Sequence, residues 1–330
     1  MSSKSNRREF LIQAAVVGAV AACPFGINES VFAAENTQKS RLVIVRDPAV
    51  LAGSEVKADV LKKMMDDAVT KLTGKADAVA AWKSLFKPED VVGIKVNCLF
   101  GRGASTHPEV AHAAADALIR IGIKSSNIII WDRTSNDLTK SGFKINKEGD
   151  GVRVFANDGV WEDAATVSGS INGKLTKILT RDITALINIP FMKDHMMSGI
   201  TGALKNHYGS FDVPHLCHGN HCEPYLADLN AIPVIRDKTR LIILDALQPF
   251  ADGGPQLSRR NTVWDYSSLL ISRDPVAVDY MEWKIIDEKR KELGLPVLAE
   301  AGREPAWIAT AASKGLGVND PNKMEIIKLG

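Results

Sequence analysis

Three of the chain's seven histidines and two of its four cysteines crowd into residues 215–222, as His215, Cys217, His218, His221 and Cys222. Imidazole nitrogen and thiolate sulfur are the preferred ligands of zinc, iron and copper, so a subset of these five is a candidate ligand set for a metal ion or an iron–sulfur cluster. The spacing follows neither a zinc finger nor a ferredoxin, and a closed four-iron cluster normally takes four thiolates. Two other readings stay open: a Cys217–Cys222 disulfide closing a tight turn, and an ordinary loop.

Just upstream lie Lys193 and His195, followed by Thr201, Lys205, Asn206, His207 and Tyr208. A helix over 200–208 would set Thr201 and Lys205 one turn apart on one face, with Gly209 as its stop. Two lysines and a histidine close together depress one another's pKa, which leaves an amine or an imidazole available as a base near neutral pH. Lys193, His195 and Lys205 are therefore candidate catalytic groups, joined by Asp245 at the end of an apolar run. The plain alternative is a set of surface lysines and a His207 that packs on Tyr208.

A third group begins where Lys95 and Asn97 close an apolar run and lead through Gly101 and Gly103 to Thr106. Thr106 and Glu109 have the spacing of a capping box, which starts a helix there. A strand, a Gly-rich loop and a helix start in series offer backbone N–H groups and a positive dipole end to an anion. The loop carries neither G-x-G-x-x-G nor a Gly-Lys-Ser/Thr ending, so a nucleotide has little support, and a connecting turn is the alternative. Lys95, Asn97, Gly101, Gly103, Thr106, Thr201 and Asn206 are candidate cofactor- or ligand-binding residues. Lys95, Lys193 and Lys205 are expected to converge on one cleft around a small anion, carboxylate or phosphate, near the helix that starts at His107.

Such residues need a frame that brings distant segments to one edge. Short β-branched runs at 41–46, 91–96 and 127–131 alternate with helical patterns at 55–72 and 107–121. That order predicts an α/β fold, a mainly parallel sheet flanked by helices. Further strands are expected at 184–189, 241–245 and 268–271, and a helix over 275–291 capped by Asp274 with Pro275 in its first turn. Segment 132–182 reads as an irregular excursion. Residues 190–233 show few strand signals and hold most of the unusual side chains, so they read as a long functional insertion over the carboxyl edge of the sheet.

The amino terminus carries a different message. Arg7 and Arg8 precede Phe10, Leu11 and an apolar run to Ala22, with small residues at Ala33 and Ala34. Residues 1–34 thus resemble a twin-arginine signal peptide, which implies the twin-arginine translocation machinery as a partner and the periplasm or cell envelope as destination. The run is about a dozen residues, short of the ~20 that cross a bilayer, so no membrane span is expected. Ordinary cleavage after Ala33 competes with a lipid anchor on Cys23. Residues 35–330 are then a single α/β domain. The net charge is +2 with both signs interspersed, which implies no nucleic acid partner.

The motifs occur in a familiar order. Gly93, Lys95 and Asn97 come first, then Lys193 with His195, the run from Thr201 to Asn206, then Gly253, Gly254 and Pro255, and finally Asp274 through Asp279. From about residue 91 to 279 the chain resembles the domain of unknown function 362 family, in its twin-arginine-exported branch. Some members of that family are joined to iron–sulfur modules, and no general activity accompanies the resemblance. This chain lacks a segment of closely spaced Cys-x-x-Cys repeats. The expectation is an exported enzyme, assisted by a metal or iron–sulfur cluster, that acts on a small anionic substrate by redox or proton transfer. The alternatives are a non-catalytic periplasmic ligand- or metal-binding protein, and a structural or assembly partner with a Cys217–Cys222 disulfide.

Overall fold

Ten strands form the central sheet of the computed structural model, which describes residues 39–330. They are β1 (Ser40–Arg46), β2 (Val92–Val96), β3 (Ile128–Trp131), β4 (Arg153–Val154), β5 (Ala185–Ile189), β6 (Phe191–His195), β7 (Gly199–Ile200), β8 (Thr239–Phe250), β9 (Ser268–Ser272) and β10 (Met324–Leu329). The export signal, its two possible endings and Cys23 lie outside the described residues.

The strand order is β10-β1-β9-β8-β5-β2-β3-β4, with β6 paired to the far half of β8 and β7 paired to β6. Along the main path every pair is parallel except those made by β9, which runs antiparallel to both β1 and β8. The fold is therefore α/β with a mostly parallel mixed sheet. Both faces are covered, which is why the central strands read as unbroken apolar runs. In β3, Ile128 and Ile130 enter one core while Ile129 and Trp131 enter the other, as a two-residue period demands.

Helices α1 (Ala58–Thr73), α2 (Ala78–Leu85) and α3 (Pro108–Arg120) supply the first core. In α1 the buried positions are Leu61, Met64, Met65, Ala68, Val69 and Leu72, a single stripe at helical spacing. Each fully buried aliphatic side chain on such a stripe contributes about 1.5–3 kcal/mol. The second core lies under α4 (Gly202–Asn206), α5 (Tyr225–Asn230), α6 (Pro233–Lys238), α7 (Pro275–Glu292) and α8 (Trp307–Ser313). Asp274 caps α7 by accepting from the amides of Val276 and Ala277, each at 2.9 Å, as its place before Pro275 predicts. No helix among the described residues is long and apolar enough to cross a membrane.

Three local expectations need correction. The segment 190–233 is not poor in strand: β6 and β7 lie within it, and their polar residues are buried beside partners that the sequence pattern does not reveal. Strand β8 does not stop at Asp245 but continues to Phe250, because the Asp245 carboxylate is satisfied in mid-strand. The cap of α3 is His107, without a side-chain cap bond, and not Thr106. The Thr106 hydroxyl is occupied elsewhere, donating to the Ile189 carbonyl at 2.9 Å and accepting from the Asn97 amide at 3.0 Å.

Candidate functional site

Strand β2 delivers Lys95 to the second core, where its side chain is buried. Its ammonium group donates to Asp132 Oδ1 and the Val96 carbonyl, both at 2.6 Å, and to Asn206 Oδ1 at 3.3 Å. Asp132 sits just past the carboxyl end of β3 and also accepts from the amides of Cys98 and Arg133. A Cβ on Gly209 would lie 2.8 Å from both the Lys95 Nζ and an Asp132 oxygen, so only glycine fits against this ion pair.

Strand β6 sorts its residues by alternation. Phe191, Lys193 and His195 face one way; Met192 and Asp194 face the other, Met192 in the second core and Asp194 against Arg303. The Lys193 Nζ donates to Asn97 Oδ1 at 2.9 Å and to the Ala104 carbonyl at 2.6 Å. The His195 Nδ1 accepts from the amides of Met197 and Ser198, which leaves its proton on Nε2.

Helix α4 carries Lys205, and two acids from α7 hold the site's elements in place, Asp279 the helix and Glu282 strand β6. Asp279 accepts from the amides of Ala203 and Leu204, and Glu282 Oε1 accepts from the Lys193 amide at 3.2 Å. Gly202 adopts φ +63°, and a Cβ there would approach Asp279 Oδ1 to 2.5 Å. Asp279 and Glu282 are positioning residues that sequence reasoning left undecided or missed. Their signal was present, since both fall on the buried stripe of α7 beside Val276, Ala277, Ile285 and Ile286, where an unpaired acid is costly.

These elements enclose one cavity of about 140 Å³. Lys95, Asn97, Lys193, His195, Thr201, Lys205, Asn206 and His218 all line it, so the structure brings together eight of the side chains singled out in the sequence. The Thr201 hydroxyl is buried there without a hydrogen-bond partner. An amide chain ties the walls: Asn206 Nδ2 donates to Asn188 Oδ1 at 2.7 Å, and Asn188 Nδ2 donates to the Ala203 carbonyl at 2.9 Å.

The electrostatics are lopsided. Lys95 is paired with Asp132, but neither Lys193 nor Lys205 makes an ion pair among the described residues. Burial pushes the Lys193 ammonium down to about 7 and the Lys205 ammonium down to about 8. The Lys205 Nζ lies 3.9 Å over the Tyr208 ring, 3.7 Å from Cys222 Sγ and 3.0 Å from His218 Nε2. His218 turns its Nδ1 to the Pro214 carbonyl at 2.9 Å, so Nε2 is the lone-pair end that meets the ammonium. Burial, and then the Lys205 charge, hold the His218 imidazole down at about 4, and burial also holds His195 well below its ordinary value.

Part of the cleft's rim is apolar, beside the half-buried charged side chains of Arg133 and Asp137. Leu99 is 53% exposed and Phe100 43%, and Phe100 has a φ of 84°, a conformation that side chains other than glycine rarely adopt. Pro214 and Pro255 complete this rim.

The remaining residues of interest lie elsewhere. Asp245 is buried against His107, whose amide and Nδ1 lie 2.7 and 2.8 Å from its Oδ2, and it does not line the lysine cleft. Gly103 and Thr106 line a second cavity with His107, and Gly101 packs against the Lys140 carbonyl. His207 is a buried neutral histidine that meets the Ser210 hydroxyl at 3.1 Å, its imidazole pushed down to about 3 by burial.

The five donors of residues 215–222 do not all turn to one place, although His218 Nε2 and Cys222 Sγ both lie against the Lys205 Nζ. His215 is exposed, and His221 points its Nδ1 at the Met197 carbonyl at 2.8 Å. His218 is engaged with Lys205, while Cys217 and Cys222 are buried free thiols. Three consecutive residues, Asn220, His221 and Cys222, have φ of 47°, 55° and 69°, a left-handed turn of residues other than glycine. No group of three or more His, Cys, Asp or Glu among the described residues is placed to hold a metal ion.

Comparison with known proteins adds a family and little else. The model of a family described as a domain of unknown function, DUF362, matches residues 92–284. No curated protein matches. Among solved structures, the crystal structure of a Thermotoga maritima protein, a structural genomics target, is similar at 13% identity and a TM-score of 0.46. The likeness covers 73% of this chain and 60% of that one, so the chain spans about three fifths of that protein's length.

Proposed function

The chain belongs to the domain of unknown function 362 family, and from that premise we propose that it binds a small organic anion in the lysine cleft and moves a proton on it, with Lys193 as the base. One observation carries the reading: two buried lysines share a cleft, and neither makes an ion pair among the described residues. An anion between them would supply the missing charge, with the free Thr201 hydroxyl as a further donor. The apolar rim at Leu99 and Phe100 suits the organic part of such a ligand.

The bonding of Lys193 supports the role of base. Its two protein acceptors, Asn97 Oδ1 and the Ala104 carbonyl, match the two N–H bonds of a neutral amine, which leaves the lone pair free. A value of about 7 lets that amine exist at neutral pH. Lys205, with the higher value of about 8, remains the cation that holds the anion. His195 offers an Nε2–H donor beside them. We route no step through a metal, since no three His, Cys, Asp or Glu side chains among the described residues are placed together to hold one.

Calorimetric titration with a panel of small mono- and dicarboxylates tests the binding, and deuterium exchange from solvent into the bound ligand tests the proton transfer. Saturable binding without exchange would favour the non-catalytic alternative, a ligand-binding protein. Absence of any carboxylate binding would overturn the proposal.

We further propose delivery to the periplasm or cell envelope by the twin-arginine route, on the strength of Arg7 and Arg8 before an apolar run. Replacing both arginines with lysine is expected to leave the precursor in the cytoplasm, read by fractionation. Unchanged delivery of the double variant would sink this part. If Cys23 is lipidated instead, the protein will partition into membranes and lose that behaviour on Cys23→Ala.

A further inference from the structure

A second, larger cavity of about 700 Å³ shares the loop that walls the lysine cleft. The Ala104 carbonyl meets Lys193 on the cleft side, whereas Ser105 and Thr106 line the second cavity. Arg102 comes from the same loop, His107 from the start of α3, and Arg260 and Gln248 from the segments that end and follow β8.

The charges here are as unmatched as those of the lysine cleft. Arg102 and Arg260 are exposed, and neither makes an ion pair among the described residues, although the neighbouring Arg259 pairs with Asp252. Glu109 is the one carboxylate on the cavity wall. The buried Asp245 fixes His107 through its Nδ1 at 2.8 Å, so the ring's Nε2 is its remaining polar atom, on a side chain 18% exposed. Burial alone would lower the His107 imidazole, but the Asp245 charge and hydrogen bond raise it above its ordinary value. The Ser105 hydroxyl is buried without any hydrogen-bond partner, although Ser105 lines the cavity. Helix α3, thirteen residues long, adds the positive end of its dipole.

We propose that this cavity is a second anion site, which takes a phosphomonoester between Arg102 and Arg260 with His107 as a third, Asp245-oriented contact. Planar guanidinium groups suit the geometry of a phosphate, and Arg102 and Arg260, neither of which makes an ion pair among the described residues, match the two charges of a dianion, while the His107–Asp245 pair adds a donor without net charge. The volume beyond the phosphate accommodates its organic substituent. Asp245 therefore acts as a positioning residue for His107 and takes no part in the lysine cleft.

The test is calorimetric titration of the mature protein with inorganic phosphate and with phenyl phosphate. Parent protein is expected to bind both saturably, and Arg102→Gln and Arg260→Gln are each expected to weaken binding about tenfold or more, the loss of one charge-assisted contact. Both arginines are exposed, so these variants should keep the parent's melting temperature. Asp245→Asn is expected to weaken phosphate binding while shifting the His107 titration downward by NMR. Lys205→Met serves as the control for the other cleft and should leave phosphate affinity unchanged. Binding that survives in the double arginine variant, or that disappears in Lys205→Met alone, would overturn the second site, as would a parent that binds no phosphate. Loss of carboxylate binding in Lys205→Met with phosphate binding intact would separate the two sites.

Discussion

Lys193 and Asp194 are adjacent on β6 and face opposite ways, yet their surroundings follow opposite logic. Asp194 is met by Arg303 at 2.8 Å and Arg290 at 3.6 Å, and accepts from the Gly254 amide at 3.0 Å. Asp252 joins the same two arginines at 2.7 and 3.3 Å. Lys193, one residue away, has only neutral acceptors. A buried charge with its partner beside it ties segments together, and removing one member strands the other. A buried charge without a partner depresses its own ionisation and awaits something from outside. The two sides of one strand thus separate a structural network from a site.

The largest effect should fall on the structural side. Asp194→Ala leaves Arg290 and Arg303 to share Asp252 as their one carboxylate partner among the described residues, and is expected to cost at the low end of about 3–5 kcal/mol of stability, measured by urea denaturation. A loss near zero would erase the contrast. On the other side, Lys193→Met and Lys205→Met are each expected to weaken carboxylate binding ten- to a hundredfold, about 1.5–3 kcal/mol, while leaving stability unchanged or higher. The comparison fails if these variants lose stability as Asp194→Ala does and keep their affinity.

Acidity should sharpen the same contrast. Folded Lys193 titrates near 7 and an ordinary lysine near 10.5, so between those values the unfolded chain binds more protons than the folded one. Its contribution therefore makes stability rise with pH across that window, and the destabilising effect is fully present below about 7. Anion affinity should run the other way, falling as pH climbs through about 7 and 8 and the two ammonium groups lose their protons. Denaturation and ligand titration at pH 6 to 10 would show opposite slopes, and slopes of the same sign would contradict the assignment. The smallest effect is reserved for Thr201→Val. Its hydroxyl has no partner among the described residues, so stability should hold while carboxylate affinity falls by about 0.5–1.5 kcal/mol, read by calorimetry.

The amino-acid sequence alone determined the α/β class and most of the sheet, because β2, β3, β5 and β9 are apolar enough to be recognised by composition and α1 carries an unbroken helical stripe. It also marked Lys95 and Lys193 as residues near one sheet edge, through the rule that side chains at the carboxyl ends of parallel strands meet. What it could not convey is which polar residues find each other across the chain. Strand β6 reads as loop until Asn97, Glu282 and Arg303 are seen to satisfy it, from 96, 89 and 109 residues away. The crowding of histidine and cysteine at 215–222 was real in sequence, but in space His218 and Cys222 turn to Lys205 while His221 turns to the Met197 carbonyl. Asp245 looked like a cleft residue and instead belongs to His107, 138 positions earlier. Local propensity acts over a few residues, whereas the partner of a buried charge is chosen by how the packed sheet brings distant segments together, and only the tertiary structure holds that information.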